Sequence, residues 1–399
     1  MKKLLLAVSL MAVGFSLPAH AEESKAGGLE FSGNASVLVG WQHDDGAALP
    51  TLGGEFDVIR GLRAPHRDTF NFYLDQFELD LDKSFGEKIR LRADLDFGRA
   101  LSGSIRSTEG SNFVVEQAYL TLGVLGGEFA IGRFNAPVGY YVVDRAFNPT
   151  VSYSNIYLYV TPTDVTGAKM YWAFNDNIDL SVYIMNQMFD CLQIGGTCLV
   201  GPNTGPFTAD SAVPSWGMRL GFNWGEEKTK STVGISYMGG PEQGVNDSID
   251  TLVDLDFAVK VSENFLVAGE GIYYQRDNLR AFTGFPNAKF AGGLLVLDYA
   301  LSDVWDVFFS YGYVNDFSGR VTGADMQVHN FVIGAGYQIT DGAKLKLEYR
   351  ADLFDYAQVQ GPTTALGGVS PTAPGGTSVT LADTLSLSNS IAAEFAYNF

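Results

Sequence analysis

Two stretches of the chain carry charge at every second position. In QFELDLDKSFGEKIRLRADLDFG, Glu78, Asp80 and Asp82 alternate with Phe77, Leu79 and Leu81, and Arg90, Arg92, Asp94 and Asp96 alternate with Ile89, Leu91, Ala93, Leu95 and Phe97. In AKLKLEYRADLF, Lys344, Lys346, Glu348 and Arg350 alternate with Leu345, Leu347, Tyr349 and Ala351. Period two belongs to a strand whose successive side chains point to opposite faces. Such carboxylates could serve acid–base or hydrolytic chemistry only beside a nucleophile, a histidine or a metal. After residue 21 the histidines are His43, His66 and His329, and no G-x-S-x-G turn is present to present a serine. No catalytic residue, metal or cofactor is therefore expected. The charges also cannot line a dry core, where each unpaired one costs several kcal/mol. They need water on their side of the sheet, and the apolar rows need lipid on the other. Arg133 in FAIGRF, Lys169 in GAKMYWAF, Arg219 in WGMRLGFNW, and Asp254 and Asp256 in VDLDFAV are expected on the same wet face.

The elements that must position these residues are strands throughout. Sixteen runs with two-residue periodicity extend from 29–42 and 69–83 to 343–356 and 384–399. Most have the roughly 9–11 residues that a tilted membrane strand requires. Every second connection is a tight turn, among them SFGE, GVLGG and TDG, and the intervening ones are long and polar, as at 43–68, 189–213 and 357–383. That asymmetry predicts an all-β transmembrane antiparallel barrel, with 14 or 18 strands as neighbouring counts, short periplasmic turns, long outer loops and both termini periplasmic. Closure follows from the solvent: in hydrocarbon every backbone N–H and C=O must be paired, and a sheet achieves this only by meeting itself. Trp41, Trp172, Trp216, Trp224 and Trp305, with Tyr273, Tyr311, Tyr349 and Tyr397, fall within or at the ends of strands, where interfacial girdles would place them.

The two ends agree with an exported barrel. Lys2 and Lys3, an apolar run from Leu4 to Leu17, and Ala19-His20-Ala21 make residues 1–21 a cleavable export signal. A single barrel domain then spans 22–399. The mature chain has 24 basic residues against 45 acidic ones, −21 net, which argues against a nucleic-acid partner. Cys191 and Cys198, with six residues between them in an exported chain, are expected to form a disulfide. The last strand places Ile391, Ala393, Phe395, Tyr397 and Phe399 on one row, facing lipid. At a soluble edge that row would invite aggregation.

One long connection departs from the polar pattern. Residues 134–163 are rich in aromatics, including Tyr140 and Tyr141, and contain Asp144 and Arg145. A segment so apolar is expected to fold into the barrel and narrow it; packing over the mouth or against a neighbouring subunit is the alternative.

The runs FYLDQFELDLDKSFGEKIRLRADLDFG, EQAYLTL, IGRFNAPVGYY and TGAKMYWAFNDNIDLSVYIMNQMFD resemble the OmpL-like β-barrel porin family of Gram-negative outer membranes and, more loosely, phosphate-selective porins. Tyr141 stands where the family pattern has an acidic residue. The resemblance implies a passive diffusion channel for small hydrophilic solutes or ions, with a homotrimer open to it. A C-terminal strand ending in Phe also resembles the signal read by the barrel-assembly machinery, here Phe395, Tyr397 and Phe399. The acid excess predicts a weak preference for cations. An adhesin or structural barrel acting through its loops, and an outer-membrane hydrolase, are the competing functions.

Overall fold

The structure is a computed structural model. It describes residues 28–44, 55–57, 62–64, 68–86, 88–97, 113–186, 188, 193–194, 197–198, 213–226, 229–241, 248–278, 288–317, 326–356 and 385–399. Residues 1–21, expected to direct export, and Cys191 lie outside these residues, so neither the expected cleavage nor the expected disulfide is addressed by them. Cys198 belongs to a short ribbon in which 193–194 pair with 197–198; a second ribbon joins 55–57 to 62–64.

Sixteen strands form a closed antiparallel barrel: β1 (Leu29–Asp44), β2 (Asp68–Phe85), β3 (Ile89–Phe97), β4 (Phe113–Val124), β5 (Gly127–Asn135), β6 (Asp164–Asn175), β7 (Ile178–Met185), β8 (Ser215–Trp224), β9 (Ser231–Pro241), β10 (Ser248–Ser262), β11 (Phe265–Asn278), β12 (Ala288–Ala300), β13 (Trp305–Asp316), β14 (Met326–Thr340), β15 (Ala343–Tyr356) and β16 (Leu385–Asn398). Each matches an expected strand, with ends that differ by no more than three residues. Each pairs with its neighbour along the chain, and β1 pairs with β16 from Asn34↔Asn398 to Asp44↔Ser388. The ring therefore has no open edge to satisfy in lipid. The turn after β4 has Leu125 and Gly126 at φ 51° and 73°, the two positive values that a tight hairpin with right-handed strand twist requires.

The outer wall carries an apolar band to which almost every strand contributes, including Phe72, Leu91, Ile131, Ile184, Trp216, Leu255, Phe309, Ile333 and Leu347. Inside, the wall has two characters. Inward positions of β1–β3 and β15–β16 are mostly polar, many of them charged or amide-bearing, whereas those of β9–β14 include Met238, Leu252, Ile272, Tyr274, Phe290, Leu294, Val296, Val314 and Val328, all buried. The segment 136–163 fills that apolar side with Val138, Tyr141, Ile156, Tyr157 and Val160. Each large side chain so covered is worth roughly 1.5–3 kcal/mol. Among the described residues no helix is long and apolar enough to cross a membrane; the short helix α1 (Asn155–Tyr159) lies within that segment, its N-terminus capped by Ser154.

Candidate functional site

Strand alternation turns the charged rows inward, and cross-strand pairing matches their signs. Arg90 sits beside Asp82 across the β2–β3 hairpin, and Arg92 reaches Asp94 at 2.8 Å and Asp80 at 3.5 Å. Arg219 of β8 grips Asp256 of β10 with both terminal nitrogens, one at 2.8 Å from Oδ1, and also donates to Ser236 at 3.1 Å. Lys344 meets Asp306 at 2.7 Å. Lys169 lies inward with its ammonium 4.8 Å from the Phe134 ring centre. In each of these ion pairs the cation is the more exposed partner; the Arg90 side chain is 55% exposed and that of Lys344 27%. The inner face therefore presents guanidinium and ammonium tips over carboxylates that are less exposed than they are.

Two β-bulges add carboxylates that strict alternation would have turned outward. The register slips between Ser36 and Val37, so Asp75 and Gln76 both point in, and a second slip beside Asp94 turns Glu116 in as well. Carboxylate oxygens of Glu78, Asp96, Glu116 and Asp144 lie within 4.8 Å of one another, the spacing at which a cation could be held. The Gln76 amide donates to Glu78 at 3.3 Å, Asp96 at 3.0 Å and Asp144 at 2.9 Å. The consecutive polar residues Asp75-Gln76 were the sequence signal for the first bulge.

The loop crosses the interior and is clamped on both sides. On β15 three alternate residues address successive pieces of its backbone. Lys346 Nζ donates to the carbonyls of Arg145 and Ala146 at 3.2 Å and of Asn148 at 2.7 Å. The Glu348 carboxylate accepts the N–H groups of Val151 at 2.6 Å and Ser152 at 3.2 Å, and the Ser152 hydroxyl at 2.5 Å. Arg350 donates to the Tyr153 carbonyl at 2.6 Å and to Asn155 at 2.5 Å. Lys346, Glu348 and Arg350 were expected to line water. They do face inward, but the loop covers them completely, so they hold the loop instead of the solute. Arg145 is turned away in the same manner. Its side chain is 1% exposed, paired with Asp75 at 2.6 Å and lying 4.2 Å from the Tyr153 ring centre.

Opposite, the Asp254 carboxylate accepts the Gly139 N–H at 3.2 Å and the Glu270 carboxylate accepts the Tyr140 N–H at 2.9 Å. Tyr141 is buried with its hydroxyl 2.7 Å from that of Thr150. Burial pushes the Tyr141 and Tyr153 phenols above their ordinary range, which keeps both neutral. Between the two limbs of the loop lies a cavity of about 190 Å³, lined by Val138, Gly139, Tyr141, Tyr157, Thr161 and Arg219. Glu270 was missed from the sequence, since a single acid among Ala268, Ile272 and Tyr274 gives no ladder.

Arg133 is corrected. Register sets it opposite Ala118 and Thr166, on the face of the exposed Ile131, while the buried Phe134 points inward; its carboxylate partner is Asp164. The sequence motif could not reveal this, because the glycine before Arg133 leaves the phase of the short strand undefined. At the chain end, Phe395 pairs with Val37 and Tyr397 with Ala35. The Phe399 ring stacks on Phe77 and Tyr397 at 6.0 and 6.3 Å.

Residues 29–393 match the family described as "Putative beta-barrel porin-2, OmpL-like". No curated protein sequence matches the chain. Among solved structures it is similar to the outer membrane channel DcaP of Acinetobacter baumannii, with 14% identity, TM-score 0.61, and 95% of this chain and 99% of that one covered. It is also similar to an anion-selective porin from Comamonas acidovorans, with 10% identity, TM-score 0.55 and coverage of 93% and 99%. The trimer form of OmpT, an outer membrane protein of Vibrio cholerae, gives 11% identity, TM-score 0.53 and coverage of 94% and 100%. At these identities the likeness is one of fold.

Proposed function

Because the chain belongs to the OmpL-like β-barrel porin family, we propose that it is a passive outer-membrane channel for small hydrophilic solutes or ions, narrowed by residues 136–163. One observation carries this reading. The barrel is closed and apolar outside, yet inward charges such as Arg90 and Lys344 keep water contact. Asp80, Asp82, Arg92, Lys169 and Arg219 share that wet inner face, with Asp144 on the loop above them. Among the described residues the histidines give an enzyme no support: His329 Nδ1 lies 2.9 Å from the Tyr311 hydroxyl, and His43 stacks on Trp41.

Residues 1–21 direct export, the short turns and both termini face the periplasm, and Phe395, Tyr397 and Phe399 are read by the assembly machinery. The subunits associate as trimers, as in the trimer form of OmpT, and the acid excess makes the pore weakly cation-preferring. Purified protein in planar bilayers tests the central claim: stepwise conductance increments support a channel, and a folded barrel that inserts without conductance refutes it.

A further inference from the structure

The loop hides its large apolar side chains with two exceptions. Val142 is 45% and Phe147 60% exposed, on a segment whose carbonyls at Ala146 and Asn148 are held by the inward-facing Lys346. They belong to one compact turn. The Val142 N–H donates to Asn148 Oδ1 at 3.0 Å, and the Asn148 amide nitrogen donates back to the Val142 carbonyl at 2.8 Å. Within the turn the Phe147 N–H donates to the Asp144 carbonyl at 3.1 Å. These bonds gather the backbone of Val142, Asp144 and Phe147 into one turn of seven residues.

Its charge has one sign. Arg145 within the turn and Lys346 on its carbonyls are both buried and bound, Arg145 to Asp75 and Lys346 to Glu394 and three carbonyls. The Asp144 carboxylate remains partly exposed, held by Gln76 at 2.9 Å, with Glu78 among the carboxylates beside it. Apolar surface left in water inside a pore gains by covering itself against a solute's apolar part, and the carboxylate selects what accompanies that part.

Resting on the channel reading, the geometry points to a solute contact at 142–148 for small amphipathic organic cations, with an ammonium group on Asp144 and the apolar body against Val142 and Phe147. A simple inorganic ion would use only the carboxylate, and an aromatic carboxylate would meet the wrong charge.

Single-channel recording of the full chain in planar bilayers separates these cases, with benzylammonium, benzoate and ethanolammonium as probes. Benzylammonium is expected to interrupt the current at concentrations about fivefold or more below those of the other two, the difference that one apolar contact together with charge selection would supply. F147S and D144N should each raise the half-blocking concentration of benzylammonium by about the same factor. V142T is a milder check and should raise it less. A conducting channel blocked equally by benzoate and benzylammonium, or block unmoved by F147S and D144N, overturns the site and leaves the channel reading standing. Absence of any conductance in the unsubstituted protein overturns both.

Discussion

Lys346 illustrates how one side chain can decide the shape of the opening. Its ammonium serves three loop carbonyls and pairs with Glu394 at 3.0 Å. K346M would leave Glu394 buried without its counter-ion, a change that costs about 3–5 kcal/mol when a buried pair is broken. The urea midpoint of the folded barrel should fall accordingly, and single-channel conductance should become larger and noisier as the 145–148 limb loosens. An unchanged conductance would show that this limb does not border the current path. Gly139 makes a second test. It has φ +86°, and a Cβ there would stand 3.2 Å from Glu270 Oε1 and from the Thr161 methyl. G139A should therefore cost about 1–2 kcal/mol through the left-handed backbone alone, again read from the urea midpoint.

At the level of elements, β16 and the loop 136–163 carry opposite demands. β16 closes the ring, and Phe399, the residue after it, exchanges two backbone hydrogen bonds of 3.0 Å with Gly33. Deleting 397–399 removes those bonds, the Phe399 ring packed on Phe77, and part of the proposed assembly signal. Refolding into lipid vesicles should slow several-fold, followed by the gain of heat-modifiable mobility on gels; equal rates would count against a role in closure. The loop has no sheet partners across the interior and is held by side chains. Replacing E348Q and R350M together removes the charges that hold 151–155 and should raise conductance while leaving the far seat on Asp254 and Glu270 in place. If conductance stays constant, the β15 clamp does not set the opening.

For the whole molecule, charge and its location compete. The acid excess predicts a small cation preference, measured as a reversal potential in a KCl gradient, whereas the exposed tips of Arg90, Arg92, Arg219 and Lys344 oppose it locally. Anion preference in that measurement would mean that the lumenal tips dominate over the net charge. What the chain alone determined was the set of sixteen strands, their two faces, the rim asymmetry and the ring they form. Each of these is written in neighbours one or two residues apart, and the lipid's refusal of unpaired backbone does the rest. Which inward charges meet water was decided only by tertiary structure. The ladder Lys344, Lys346, Glu348, Arg350 reads as one uniform row, yet the first residue is wet and the other three lie under a loop nearly 200 positions earlier. Arg133 was displaced by register, and Asp75 and Glu116 by bulges. Period-two alternation is a local property, whereas burial depends on which distant segment comes to rest on a face, and no local pattern encodes that contact.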